Sequence, residues 1–164
     1  MNAAASNAFA MPSPELAVRA ARLDDAATIV DFNHRLALET EGKKLEHATL
    51  AKGVETLLRD PRLGRYFVAT TADGAVVGQL MITQEWSDWR NGQILWLQSV
   101  YVAQAARGKG VFTLLLNKIA ALGREEGAIG VRLYVEGHNA GALATYRKHG
   151  FIDAGYLVME RIPL

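Results

Sequence analysis

Between Ile94 and Leu122 the hydrophobic pattern changes from that of a strand to that of a helix across one glycine-rich turn. Ile94–Val102 is a long apolar run suited to a strand. Ala105-Ala106-Arg107-Gly108-Lys109-Gly110 follows, and Val111, Leu114, Leu115, Ile119 and Leu122 then recur at helical spacing. A strand that runs into a buried helix belongs to a sheet with that helix packed on one face. At the turn, the helix start carries backbone N–H groups with no partner inside the helix, together with the positive end of its dipole. Glycines let a ligand approach that backbone with no Cβ in the way. The turn therefore predicts a cradle for a phosphate or pyrophosphate, with Arg107 and Lys109 at its rim. An ordinary glycine turn with exposed basic residues reads the same.

Upstream, Leu16–Ala21 reads as a first strand. Asp24 is placed to cap a helix beginning at Asp25, with Ala26, Ile29, Val30, Leu36 and Ala37 at helical spacing and an end near Glu41-Gly42. A second helix carries Leu50, Val54, Leu57 and Leu58 and stops before Pro61. Arg65–Thr70 and Ala75–Thr83 predict a hairpin that turns at Ala72-Asp73-Gly74, and a polar, aromatic link runs from Glu85 to Gly92. Downstream, Gly127 ends the long helix. Val131–Glu136 then reads as a strand, Asn139–His149 as a helix and Phe151–Met159 as a final strand. The predicted order, β-α-α-β-β-β-α-β-α-β, implies a mixed sheet with helices on both faces. With 164 residues, half of them hydrophobic, the chain suits one α/β domain over residues 15–164 and a loose tail over residues 1–14.

Several function classes are disfavoured. A formal net charge of +1 gives no strong field to attract nucleic acid or membrane. The chain has no cysteine, which excludes disulfides, thiolate metal sites and cysteine nucleophiles. Its four histidines lack ligand spacing, so no metal is expected. No apolar run reaches the roughly 18 residues of a membrane span. Residues 1–14 lack a basic leader followed by an apolar block, so cytoplasmic residence is expected. Neither a P-loop nor a dinucleotide-binding glycine fingerprint is present.

Val100-Tyr101-Val102, Arg107-Gly108-Lys109-Gly110, the run from Asn139 to Tyr146, and Gly150-Phe151 together resemble the GNAT superfamily of acetyl-CoA-dependent N-acetyltransferases. The likeness extends from Leu16 to the C-terminus in element order and is most specific between Trp96 and Phe151. One position departs from it. The family turn reads Arg/Gln-x-x-Gly-x-Gly/Ala, and its last residue here is Phe112, whose ring either narrows the cradle or points into the core. The resemblance implies a mostly antiparallel, twisted sheet whose central strands splay to form a slot, with acetyl-CoA as acetyl donor. Val100, Tyr101 and Val102 would line the pantetheine arm. Arg107, Gly108, Lys109, Gly110, Val111, Phe112 and Thr113 would hold the pyrophosphate. Asn139 would contact the cofactor, and Tyr146 would act as general acid. Asn139 and Tyr146 are seven residues apart, so they share a helix face. Asparagine is also a good helix cap, and a half-buried tyrosine also serves as packing.

The implied reaction is direct attack of a neutral amine on the thioester, with a fourth-strand backbone N–H holding the oxyanion. Neutralising a lysine-like amine of pKa about 10.4 at pH 7 costs about 4.6 kcal/mol, so a base or a dry pocket is required. A tyrosine pKa of about 10 against about 8.5 for a thiol makes complete proton transfer uphill by about 2 kcal/mol. A hydrogen bond to the departing sulfur asks less. Glu39, Glu41, Glu85, Trp86 and Trp89 are candidates for the acceptor wall, since carboxylates attract an ammonium and indole faces bind a cation; they equally suit surface and packing roles. The expected acceptor is a small-molecule amine, and the resemblance admits a homodimer. A non-catalytic acyl-CoA-binding sensor of the same fold is the alternative. Phe112 favours it, as does the lack of a glutamate on the fourth strand, where Gln98 and Ser99 stand.

Overall fold

The computed structural model describes residues 16–163, and the tail expected over residues 1–14 lies outside them. In chain order the elements are β1 (Ala17–Ala20), α1 (Ala26–Glu41), α2 (His47–Arg59), β2 (Arg65–Thr70), β3 (Val76–Ser87), β4 (Gly92–Val102), α3 (Val111–Glu125), β5 (Ala128–Leu133) and α4 (Ala140–Lys148). The strands form one sheet in sequence order. β1 through β4 pair antiparallel, and β5 joins β4 parallel, which requires the crossover that α3 supplies.

Each face of the sheet has its own core. α1 and α2 cover one face, around Ile29, Val30, Val54, Tyr66 and Val68. α3 covers the other, setting Val111, Leu115 and Ile119 against Phe67, Leu80, Ile82, Leu95 and Leu97. Phe67 and Val68 are neighbours on β2 yet enter opposite cores, as the two-residue strand period demands. Burial on both faces is why β2 reads as a nearly continuous apolar run. No helix among the described residues is long and apolar enough to cross a membrane.

The corner before α1 is anchored by Asp25, one residue beyond the expected cap Asp24, and α1 starts at Ala26. The Asp25 carboxylate accepts both terminal nitrogens of Arg19, at 2.7 and 2.8 Å, and the Arg22 N–H at 2.6 Å. The Arg19 hydrogen bonds hold its carboxyl below the usual range. Asp25→Ala is therefore expected to lower the unfolding free energy by about 2 kcal/mol at pH 7. That stabilisation is present above the ordinary aspartate pKa of about 3.9 and is lost as pH falls through the lower folded-state value. Urea melts of wild type and variant should differ at pH 7 and converge in acid; equal midpoints at pH 7 would rule the anchor out.

Three further expectations are corrected. β3 extends to Ser87, because Glu85, Trp86 and Ser87 pair with Ile94, Gln93 and Gly92. The polar, aromatic link is thus mostly ladder, closed by a short turn in which the Asn91 N–H donates to the Asp88 carbonyl at 3.3 Å. β5 begins and ends three residues before the expected Val131–Glu136, because its ladder partner is the first half of β4, Gln93–Leu97. Phe151–Met159 forms no strand. The Asp153 carboxylate accepts the Gly155 N–H at 2.8 Å and turns the chain there, leaving Leu157 and Met159 91% and 90% exposed. An apolar, β-prone run becomes a strand only beside a partner edge.

Two features set the second half of β4 apart. Its ladder with β5 stops at Leu97, so the two strands part beyond that point. On the other side, Gln79 pairs with Tyr101 and Met81 with Gln98, so Leu80 alone stands opposite Ser99 and Val100. This is a β-bulge. Ser99 has φ 49°, a region that non-glycine residues rarely enter. The extra residue changes the parity of the strand. Leu95 and Leu97 face α3, and beyond the bulge so do Val100 and Val102. Tyr101 faces α1, its ring 5.0 Å from that of Phe32.

Candidate active site

The site lies where β4 has left β5 and α3 begins. Gly108 and Gly110 have φ values of 74° and 79°. A Cβ added at either meets nothing within 4 Å, so the backbone there lies open. Gly110 immediately precedes the first helical residue, and no side chain among the described residues caps the helix start. The first-turn N–H groups and the helix dipole together make a place for an anion.

Arg107 turns away from that opening. Its Nε donates to the Val102 carbonyl at 3.0 Å and its Nη2 to Glu39 Oε2 at 2.6 Å, while the guanidinium lies 5.5 Å from the centre of the Tyr101 ring. The Tyr101 hydroxyl donates to Glu39 Oε1 at 2.8 Å. The Arg107 hydrogen bond holds the Glu39 carboxyl below the usual range. Burial, and then the Glu39 carboxylate, push the Tyr101 phenol up. The cluster clamps the end of α1 to the end of β4 and the entry of the turn. Arg107 and Lys109 are both exposed on the turn, and Arg107 is tied into this cluster.

Phe112 points its ring toward α4 and away from the opening. It lies 5.5 Å from the Tyr146 ring and 5.1 Å from His149, both edge-on, and Tyr146 in turn lies 5.8 Å from Phe151. His149, which carries no signal of its own in the sequence, ties the two helices together. Its Nδ1 is 2.8 Å from the Thr145 carbonyl and its Nε2 2.8 Å from Thr113 Oγ1. A carbonyl only accepts, so Nδ1 carries a proton, and in the neutral ring Nε2 then accepts from the Thr113 hydroxyl. Burial pushes the Tyr146 phenol up. At the other end of α4, Asn139 Oδ1 accepts the Ala142 N–H at 3.0 Å and caps the helix.

Three of the remaining candidates, Glu85, Trp86 and Trp89, lie elsewhere. β3 runs antiparallel to β4, so its end lies beside the start of β4, whereas the glycine turn follows the end. Gln93, the partner of Trp86, and Val100 are seven residues apart, roughly 23 Å along a strand. Trp86 and Trp89 are 65% and 84% exposed at that far end. The Glu85 carboxylate accepts from Arg132 Nη1, at 2.9 and 3.0 Å, and from the Trp96 indole N–H. Glu41 pairs with Lys43 at 2.6 Å. The structure thus gathers Val100, Tyr101, Val102, the segment from Arg107 to Thr113, Tyr146 and Glu39 at one end of the sheet. Glu85, Trp86 and Trp89 stand at the other.

Comparison with known proteins bears on the family and the fold. The Acetyltransferase (GNAT) family model matches residues 27–151. The streptothricin acetyltransferase of Streptomyces lavendulae is 37% identical over 91 residues, which are 56% of this chain and 46% of that protein. The mycothiol acetyltransferase of Clavibacter michiganensis subsp. michiganensis is 35% identical over 150 residues, 89% of this chain and 45% of that protein. The chain spans less than half the length of these curated relatives. A crystal structure described as a "possible acetyltransferase" from Clostridium difficile 630 is 47% identical and superposes with a TM-score of 0.82, covering 91% of this chain and 98% of that one. The matched stretch takes in the splayed strand, the open turn and the helix that bears Tyr146, and the chain belongs to the GNAT family of acetyltransferases.

Proposed function

We propose that the protein transfers an acetyl group from acetyl-CoA to a primary amine of a small molecule by direct attack. The observation that carries this reading is the open, uncapped start of α3 immediately after β4 has parted from β5. Anion-binding N–H groups and an unpaired strand edge adjoin there, as a ligand with a diphosphate and a peptide-like arm requires. The donor supplies a thioester, and its thiol leaves as the amine takes the acetyl group.

The residues divide the work. The N–H groups from Gly110 to Thr113 hold the diphosphate, and Lys109 adds charge. Backbone groups of β4 from Val100 to Val102 bind the arm. The bulge at Ser99 and Val100 takes N–H groups out of the ladder with β3 and makes them available to an oxyanion. Tyr146, its phenol raised by burial, stays protonated through the neutral range and serves as a hydrogen-bond donor to the departing sulfur. Asn139 contacts the donor from the start of α4. Glu39 and Glu41, at the end of α1, are the acidic residues retained for the acceptor side. A relative named for streptothricin supports a small-molecule acceptor.

The test is thiol release from acetyl-CoA in the presence of amino acids, polyamines and amine-bearing antibiotics. At least one amine is expected to raise the release rate tenfold or more over the amine-free rate. A protein that binds acetyl-CoA yet releases no thiol with any of them is a sensor, and one that binds no acetyl-CoA is neither.

A further inference from the structure

Gln79 sits in the middle of β3 with none of its surface exposed, in a run otherwise made of Val76, Val77, Gly78, Leu80, Met81 and Ile82. Its side-chain nitrogen donates to Asn33 Oδ1 at 2.8 Å and to the Ser99 carbonyl at 3.3 Å. Asn33, 7% exposed on α1, donates in turn to the Tyr66 hydroxyl on β2 at 3.0 Å. This buried polar relay crosses from β2 through α1 to β3 and ends on the backbone of the bulge. A leucine at position 79 would suit the core under α1, because a buried amide costs stability unless all its partners are supplied. Here one is missing: Gln79 Oε1 has no hydrogen-bond partner among the described residues. Packing does not account for such a group, and the bond it makes to Ser99 does.

The Ser99 carbonyl and the Val100 N–H belong to one planar, trans peptide unit and point in opposite directions. A carbonyl drawn toward the Gln79 side chain therefore turns the Val100 N–H away from that amide, on a stretch of β4 that β5 no longer pairs. We propose that Gln79, oriented by Asn33 and Tyr66, is a positioning residue for acetyl transfer: by holding the Ser99 carbonyl it aims the Val100 N–H at the oxyanion. The inference rests on the acetyl-transfer reading of the site.

The test is Gln79→Met, which keeps length and loses both hydrogen bonds. Two quantities are read: the Val100 amide, by its proton–nitrogen resonance and exchange rate, and the kinetics with acetyl-CoA and an amine. The expected result is a shifted Val100 resonance with exchange at least tenfold faster, a kcat at least tenfold lower, and a KM for acetyl-CoA within threefold of wild type. A purely structural glutamine would leave the kcat of the folded fraction alone. Tyr66→Phe, which shortens the relay at its far end, should shift the same resonance and lower kcat about threefold; it serves if the first variant does not fold. An unmoved Val100 amide, or a kcat within twofold of wild type in Gln79→Met, overturns the proposal. If the wild type turns over no amine, the acetyl-transfer reading fails on its own, and the Val100 signal alone decides whether Gln79 sets the peptide plane.

Discussion

Gly110→Asp is expected to lower the affinity for coenzyme A about 100-fold, which corresponds to about 2.8 kcal/mol, in a protein that still folds. Aspartate tolerates the left-handed backbone of position 110, φ 79°, better than most residues. Its carboxylate can accept from the second or third N–H of α3 and sits favourably at the positive end of the dipole. The substitution thus caps the helix and, in doing so, consumes the donors that a diphosphate needs; it also adds a like charge. Gly110→Ala separates these effects. Its methyl group meets no atom within 4 Å, and the left-handed conformation costs about 1 kcal/mol, which falls on stability and not on the donors. Affinity in that variant should stay within about fivefold. Calorimetric titration with coenzyme A checks both, and a folded Asp variant that binds within twofold of wild type would leave the cradle without support.

Tyr146→Phe is expected to lower kcat about 100-fold, the lower range for loss of a positioned proton donor, with the KM for acetyl-CoA within threefold. The ring contacts to Phe112 and Phe151, at 5.5 and 5.8 Å, survive the change, so packing is not disturbed. The pH profile gives a second reading. Burial raises the Tyr146 phenol above its usual value of about 10, so its ionisation takes nothing from the rate between pH 7 and 9. Over that range the rate should climb with pH as the amine loses its proton, in wild type and variant alike. An unaltered kcat would make Tyr146 a packing residue, and a change confined to KM would make it a contact for the donor.

The strand, turn and helix from Ile94 to Leu122 were legible because two independent signals coincide there, a change of hydrophobic period and a pair of glycines. The limits of β2 were legible for a similar reason, since a doubly buried run ends abruptly in polar residues. What stayed hidden depended on contacts across the fold. An apolar run such as Phe151–Met159 does not reveal whether a free edge awaits it. Nothing about serine announces a left-handed backbone at Ser99, which follows from an odd residue count against β3. Phe112 could be resolved only once α4 was seen beside it. Glu85, Trp86 and Trp89 suited an acceptor wall while they lay in an eight-residue link free to fold back; as ladder and turn they are held a strand's length away. Gln79 had left a trace, a lone amide in an apolar run, whose meaning depended on the bulge it reaches.

The surplus residue in β4 is one that the sheet itself does not require. A chain lacking Ser99 would still set Gln98 beside Met81, Val100 beside Leu80 and Tyr101 beside Gln79, with every side chain on its present face and the ladder unbroken. Such a shortened strand would satisfy both cores and forfeit only the out-of-line peptide. On the proposed reading, the one residue the sheet could spare is the one that frees a peptide for the oxyanion, so a relative trimmed at that point should keep this fold and lose acetyl transfer.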